Sequence, residues 1–230
     1  MTDTLTLIAL LHFADGMFPS GGFAHSFGLE TYAQAGIVAD ATGLEAFVRL
    51  HLEGGAGPAD AVAVALAATA ARAGDAERCF ELDRRLDAMK TVPEFRAASR
   101  QMGRQTARAA AAVAADAVVE RVARAIDDER TPGHHGVVFG TVTGRAAAAA
   151  ETAAAAFLYS TAALLVGAGL RLLPIGQLDG QRVLASMRSR IARLARRAAA
   201  ADVDDMWSFT PGLEIAGLRH ADLEARLFRS

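Results

Sequence analysis

The sequence predicts an all-α fold: a single-domain helical bundle followed by an extended, partly irregular C-terminal tail. Three observations carry this reading. Of the 230 residues, 52% are hydrophobic but only 6% aromatic. The commonest apolar residue by far is alanine, the best helix former and a poor strand former. Helix start and stop signals recur along the chain, and no run alternates apolar and polar residues long enough to make a sheet. The length suits one large domain and suffices for a substantial core.

The elements follow in order. The opening stretch to Phe13 is apolar but has no basic residue before it, and Asp3 sits where a signal peptide carries positive charge, so a cytoplasmic address is expected. Residues Ala14 to Phe23 form a compact turn rich in Gly and Pro, in which Pro19, Gly21 and Gly22 are structural candidates: both glycines are expected to adopt backbone angles or close contacts that a side chain would obstruct. Thr42 and Glu45 have the spacing of a capping box before Leu44, Phe47 and Val48. Pro58 reads as the first residue of a helix ending at Gly74, and Asp75 as the cap of the next, running to about Lys90. A further helix begins near Pro93 and reaches about Ala112. Segments 137–150 and 152–170 read as helical and largely buried. The second has no charged residue and the length of a membrane span, but it is mostly Ala, Gly, Ser and Thr, which favours a helix inside a bundle; no membrane association is expected. From about Leu178 to Ala200, Leu184, Met187, Ile191, Leu194 and Ala198 recur at steps of three and four with arginines between them, the pattern of an amphipathic helix.

The boundary falls after residue 201. Residues 202–230 are broken by Pro211, Gly212 and Gly217, yet carry Trp207, Phe209, Leu213, Ile215, Leu218, Leu223, Leu227 and Phe228. A disordered tail is poor in such residues, so this one must pack on its own domain or on a partner.

Several chemistries are excluded or weakened. The formal charge of -2 argues against a general affinity for nucleic acid. Cys79 is the only cysteine, which rules out an internal disulfide and a cysteine-cluster metal site. Ala24 to Gly28 has a serine at the centre of a hydrolase-like elbow, but Ala replaces the first Gly and no strand precedes it. A P-loop needs Gly-Lys-Ser/Thr, and the only lysine, Lys90, lies in Ala88-Met-Lys-Thr91. The six histidines, at 12, 25, 51, 134, 135 and 220, show no i,i+3 or i,i+4 pair of the kind that holds an ion on one helix face. His134 and His135 follow Thr131-Pro-Gly133 and read as the start of a helix. No catalytic residue, bound metal or cofactor is expected.

Arginine is the remaining signal. Arg96, Arg100, Arg104 and Arg108 recur every four residues along one helix face, and Arg188, Arg190, Arg193, Arg196 and Arg197 crowd the last long helix. They form either a solvated face or a docking surface for an acidic partner.

Five blocks in order carry a family resemblance: Asp15 to Glu30, Leu86 to Lys90 with Glu94 to Arg104, His135 to Gly140, Leu173 to Gln181, and the ending Leu218 to Ser230. Together they resemble the UreF family of urease accessory proteins; residues 109–130 contribute nothing to the likeness. The resemblance implies an all-α, homodimeric, non-enzymatic scaffold that binds UreD (UreH in some species) and the GTPase UreG. That assembly helps insert nickel into the urease apoprotein. It points to the tail as a partner-binding segment. Leu223, Leu227 and Phe228, at i, i+4 and i+5, would form an apolar ridge on a helical turn, flanked by Arg226 and Arg229 and closed by Ser230. Arg96, Arg100 and Arg104 gain weight as docking residues. The alternative is a direct nickel-binding metallochaperone with His25, His134, His135 and His220 as donors. Purified protein alone is expected to show no GTP turnover above a no-protein blank; measurable turnover in preparations free of UreG would overturn the P-loop argument.

Overall fold

A computed structural model describes residues 3–230, and among them there are helices and loops but no strand. The helices are α1 (Thr4–Ala14), α2 (Leu29–Gln34), α3 (Ala41–His51), α4 (Val62–Arg72), α5 (Ala76–Met89), α6 (Pro93–Val113), α7 (Ala117–Asp127), α8 (His135–Arg145), α9 (Ala150–Leu172), α10 (Gln177–Ala200) and α11 (Pro211–His220). The start and stop signals explain most boundaries. Gly74 takes a left-handed φ of 80° at the end of α4, and Asp75 accepts from the Arg78 amide to open α5. Pro93 begins α6, where its missing N–H costs nothing.

Three boundaries differ from the sequence expectation. The cap of α3 is Asp40, whose Oδ1 accepts from the Gly43 amide at 2.8 Å, so the Thr42–Glu45 box is not used. Pro58 does not start a helix. The chain passes from α3 to α4 through a π-helical stretch, Leu52–Ala61, with Pro58 inside it. The wider winding accommodates a residue that has no N–H to give. Helix 137–150 is also shorter than expected, ending at Arg145 with Ala147 at a positive φ of 63° before α9 begins.

The centre of the bundle is the crossing of α4 and α8. A methyl group on Gly140 would lie 2.4 Å from the Val64 carbonyl oxygen, and one on Gly144 would lie 2.3 Å from that of Ala68. The two backbones therefore touch, which only small residues permit. The N-terminus of α8 is held from another helix. Buried Asp83 on α5 accepts from Thr131 Oγ1 (2.6 Å), the Gly133 amide (2.5 Å) and the His134 amide (2.8 Å). Across this loop lies α6, where a Cβ on Gly103 would fall 2.0 Å from the Gly133 carbonyl oxygen. Helix α9 is long and apolar enough to span a membrane, but it packs against α10, α4 and α8 with half of its apolar window buried.

Glycine substitutions with opposite signs test this packing. Gly103→Ala should cost roughly 3 kcal/mol, or about 6–12 °C in Tm, because backbone cannot yield to the added methyl. At Gly167 of α9 an added Cβ meets nothing within 4 Å. Gly167→Ala should therefore leave Tm unchanged or raise it, by up to about 1 kcal/mol. Thermal melts of the two variants beside the parent protein check both signs.

Candidate partner-binding site

The tail is docked on its own chain, and a buried carboxylate anchors it. Glu30, on α2 and only 2% exposed, accepts from the Leu227 amide (Oε1, 2.7 Å) and the Phe228 amide (Oε2, 3.1 Å). Its Oε2 also lies 3.0 Å from His220 Nε2, and His220 Nδ1 is 2.7 Å from Glu94 Oε2. Arg226 reaches the same Glu94, at 3.3 Å, so the tail closes over the start of α6. The final residue is buried. Ser230 O accepts from the amides of Ser26 (2.6 Å) and Phe27 (3.0 Å) and from Ser26 Oγ (2.8 Å), while His25 Nδ1 meets Ser230 Oγ at 2.9 Å. Phe27 holds a positive φ of 51°, which aims two successive amides at one acceptor. Ser26 is thus occupied as an anchor for the tail at the end of a short turn.

These contacts revise the shape expected of the tail. Residues after His220 are not helical, so Leu223, Leu227 and Phe228 do not form one ridge. Phe228 points inward and joins the main core, Leu223 is half-buried, and Leu227 stays 60% exposed beside exposed Arg226 and Arg229. The physical reason is the bent, non-helical backbone: once Glu30 takes the amides of 227 and 228, helical bonding there is lost and the side chains no longer share one face.

The arginines of α6 are largely engaged within the chain. Arg96 donates through Nε to the Lys90 carbonyl oxygen at 2.7 Å, Arg100 pairs with Asp87 at 2.5 Å, and Arg108 pairs with Asp127 at 2.8 Å. Arg104, half-buried, has no ion pair among the described residues. On α10, Glu53 takes up Arg190 and Arg193. The stripe is thus partly a set of struts between helices.

The turn at Pro19 divides its two glycine requirements. Gly21 takes a left-handed φ of 79°, but Gly22 does not; it is buried, with Leu164 Cδ1 2.7 Å and Met102 Cε 3.2 Å from where a Cβ would lie. Gly22 is needed for space, Gly21 for conformation. Pro19 is exposed at the start of the turn.

The four histidines considered as nickel donors lie in separate environments. His25 serves Ser230 and His220 sits between two carboxylates. His134 contacts Ser99 Oγ through Nδ1 (3.0 Å) and Asp87 through Nε2 (2.8 Å). His135 packs its ring against Phe139 and Phe157. Among the described residues no three His, Cys, Asp or Glu side chains are grouped to hold an ion.

A cavity of about 350 Å³ lies behind this face, lined by His51, Asp60, Lys90, His135 and Arg171 among others. Lys90 and Asp60 pair at 2.9 Å. Sequence reasoning missed this group and missed Glu30 as the anchor. The paired positions are far apart in the chain, 190 residues for Glu30 and His220, so no local spacing signals them.

Burial pushes His51 and His135 down to about 4, and burial with the Arg229 charge does the same to His25. Their folded values lie below the ordinary 6.5, so the unfolded chain binds protons first as pH falls. The stability they contribute is complete above about pH 6.5 and is lost on descent towards pH 4, by about 1.4 kcal/mol per pH unit per histidine at most. Tm should therefore fall across this window, before most carboxylates titrate. His51→Gln with His135→Gln should flatten the slope; an unchanged slope in the double variant would contradict the assignment.

Comparison with known proteins finds relatives that match the chain over nearly its whole length. A model of the UreF family matches residues 38–188. The chain is similar to the urease accessory protein UreF of Bacillus sp. (strain TB-90), at 31% identity with 97% of this chain and 99% of the relative covered. It is similar also to that of Rhizobium leguminosarum bv. viciae, at 36% identity with 97% and 96% covered. For Rhizobium leguminosarum bv. trifolii (strain WSM2304) the identity is 37%, with both chains covered in full. The chain therefore belongs to the UreF family of urease accessory proteins.

Proposed function

We propose that this protein is a non-enzymatic, cytoplasmic scaffold of urease maturation. In this reading it binds UreD (UreH) through its C-terminal segment and, with it, UreG. As a homodimer it presents this assembly to the urease apoprotein, into which nickel is inserted. Its own contribution is a surface. Family membership supports the reading, and one observation carries it. Within the last 24 residues of the chain, Trp207, Phe209, Ile215, Leu218 and Leu227 are all at least half exposed, although the segment is firmly docked. Large apolar groups left outside on an ordered segment, beside Arg226 and Arg229, have the composition of a protein interface. The anchor at Glu30 then serves recognition by holding the segment in one conformation before a partner arrives, which lowers the ordering cost of binding. Arg104, and Arg96 and Arg100 through whatever donors their internal partners leave free, are the docking residues proposed on the adjoining helix.

Leu227 separates the interface from the fold. Because its side chain is largely in solvent, Leu227→Asp should change stability by no more than about 0.5 kcal/mol. Placed in a desolvated contact, the same carboxylate should reduce capture of UreD by at least roughly tenfold. Co-purification of tagged UreD with parent and variant, beside thermal melts, reads both quantities. Full capture by a normally folded variant would remove the tail from the interface.

A further inference from the structure

One hydroxyl on the cavity wall has a base beside it. Phe95, Ser99 and Met102 stand at i, i+4 and i+7 on α6, and all three line the cavity, so this face of the helix looks into it. Ser99 Oγ also lies 3.0 Å from His134 Nδ1, and His134 Nε2 lies 2.8 Å from Asp87 Oδ1. Serine, imidazole and carboxylate therefore follow one another, with the serine at the cavity and the fully buried His134 behind it. Hydroxyls elsewhere on the wall are placed differently. Thr161 donates to the Phe157 carbonyl oxygen, and no imidazole meets Ser160 among the described residues.

The partners fix where the protons are. A carboxylate only accepts, so Asp87 takes the Nε2 hydrogen of His134, which leaves Nδ1 bare to accept from the Ser99 hydroxyl. Burial, and after it the Lys90 charge, hold His134 below the ordinary histidine value, so the imidazole is neutral and Nδ1 stays basic. Burial opposes ionisation of Asp87, but hydrogen bonds from His134 and Arg100 outweigh it and keep the carboxyl below the usual range. The hydroxyl has turned from its usual local partner. Within a helix such a group commonly donates to the carbonyl four residues back, as Thr141, Thr143 and Thr161 do here. Ser99 gives its hydrogen to a base instead.

We propose that Ser99 is an activated nucleophile and the cavity its pocket: a site of covalent acylation by an activated ester or thioester with an apolar acyl group. The cavity, of about 350 Å³, is large enough for a small donor, and Phe27, Phe95 and Phe157 give the acyl chain an apolar wall. Ser99 Oγ forms the bond to the carbonyl carbon and its proton passes to His134 Nδ1. The bond from that carbon to the leaving oxygen or sulfur then breaks, and His134 returns the proton to the leaving group. The products are acyl-Ser99 and a free alcohol or thiol. Lys90 lines the same cavity and its charge is felt at His134, so it is a cation available to the carbonyl oxygen as that turns anionic. A single acylation modifies the scaffold and adds to its docking role without replacing it.

An alkyl fluorophosphonate tests this, because the same attack forms an Oγ–P bond, expels fluoride and leaves an adduct that persists. The full chain is treated with the probe and the adduct is located by peptide mapping. The expected result is one adduct at Ser99, formed at least roughly tenfold faster than any at Ser160, which shares the cavity but not the imidazole. Ser99→Ala should abolish it, and His134→Gln should slow it by at least roughly tenfold in protein that keeps its helical content. Should His134→Gln fail to fold, Asp87→Asn, which keeps the shape but not the charge that orients the imidazole, is read by the same criterion. No adduct at Ser99, or labelling shared equally with Ser160, overturns the proposal in the parent protein alone. An unslowed reaction in the folded His134 or Asp87 variant overturns it too. The measurement needs no partner protein, so its failure would leave the UreD reading untouched.

Discussion

A carboxylate buried near the beginning of the chain holds the end of the chain in place. Taking Glu30 out of water is tolerable only because two backbone amides and an imidazole meet its oxygens. Removing those partners would leave a buried charge uncompensated, at a cost of several kcal/mol. The requirement runs both ways. Glu30 needs the tail, and the amides of Leu227 and Phe228, which lie outside any helix, need Glu30. From this exchange follow the inward placement of Phe228, its stack on Arg171, and the outward placement of Leu227 and the flanking arginines. The proposed interface is the outer face of this docked segment.

The rest of the bundle supplies a rigid floor for that segment. Contact between the backbones of α4 and α8, made possible by Gly140 and Gly144, leaves little freedom for either helix to slide. Asp83 ties the start of α8 to α5, and Gly103 lets α6 lie directly on the same loop. Because α6 also carries Glu94, the position of the tail is referred through His220 and Arg226 to the most tightly packed part of the molecule.

Much of this was legible in the sequence where the information is local. Gly74 with Asp75, Pro93, and the apolar stripe of α10 each announce an element through groups a few residues apart, and those elements are present. Resemblance of ordered blocks identified the family. The π-helical stretch was not legible, because Gly54, Gly55 and Pro58 carry the ordinary signature of a break, and only tertiary packing keeps the chain wound through them. Nor was the state of the tail. Its apolar content showed that it must pack, but the choice of surface rests on Glu30 and Ser26, some two hundred positions away. The arginine stripe illustrates a third limit: regular spacing showed a face, while the pairing of Arg100 with Asp87 and of Arg108 with Asp127 depends on helices that spacing does not place.

The central claim is that the tail is docked before any partner binds, and amide hydrogen exchange of the isolated protein tests it most directly. The amides of Leu227, Phe228 and Arg229 are bonded to Glu30 and to the Ala24 carbonyl oxygen although they lie outside helical structure. They should exchange far more slowly than an unstructured segment, with protection approaching that of the neighbouring helices, and Glu30→Gln should weaken that protection. Exchange of these three amides at unstructured rates, in protein whose helices remain protected, would contradict the account.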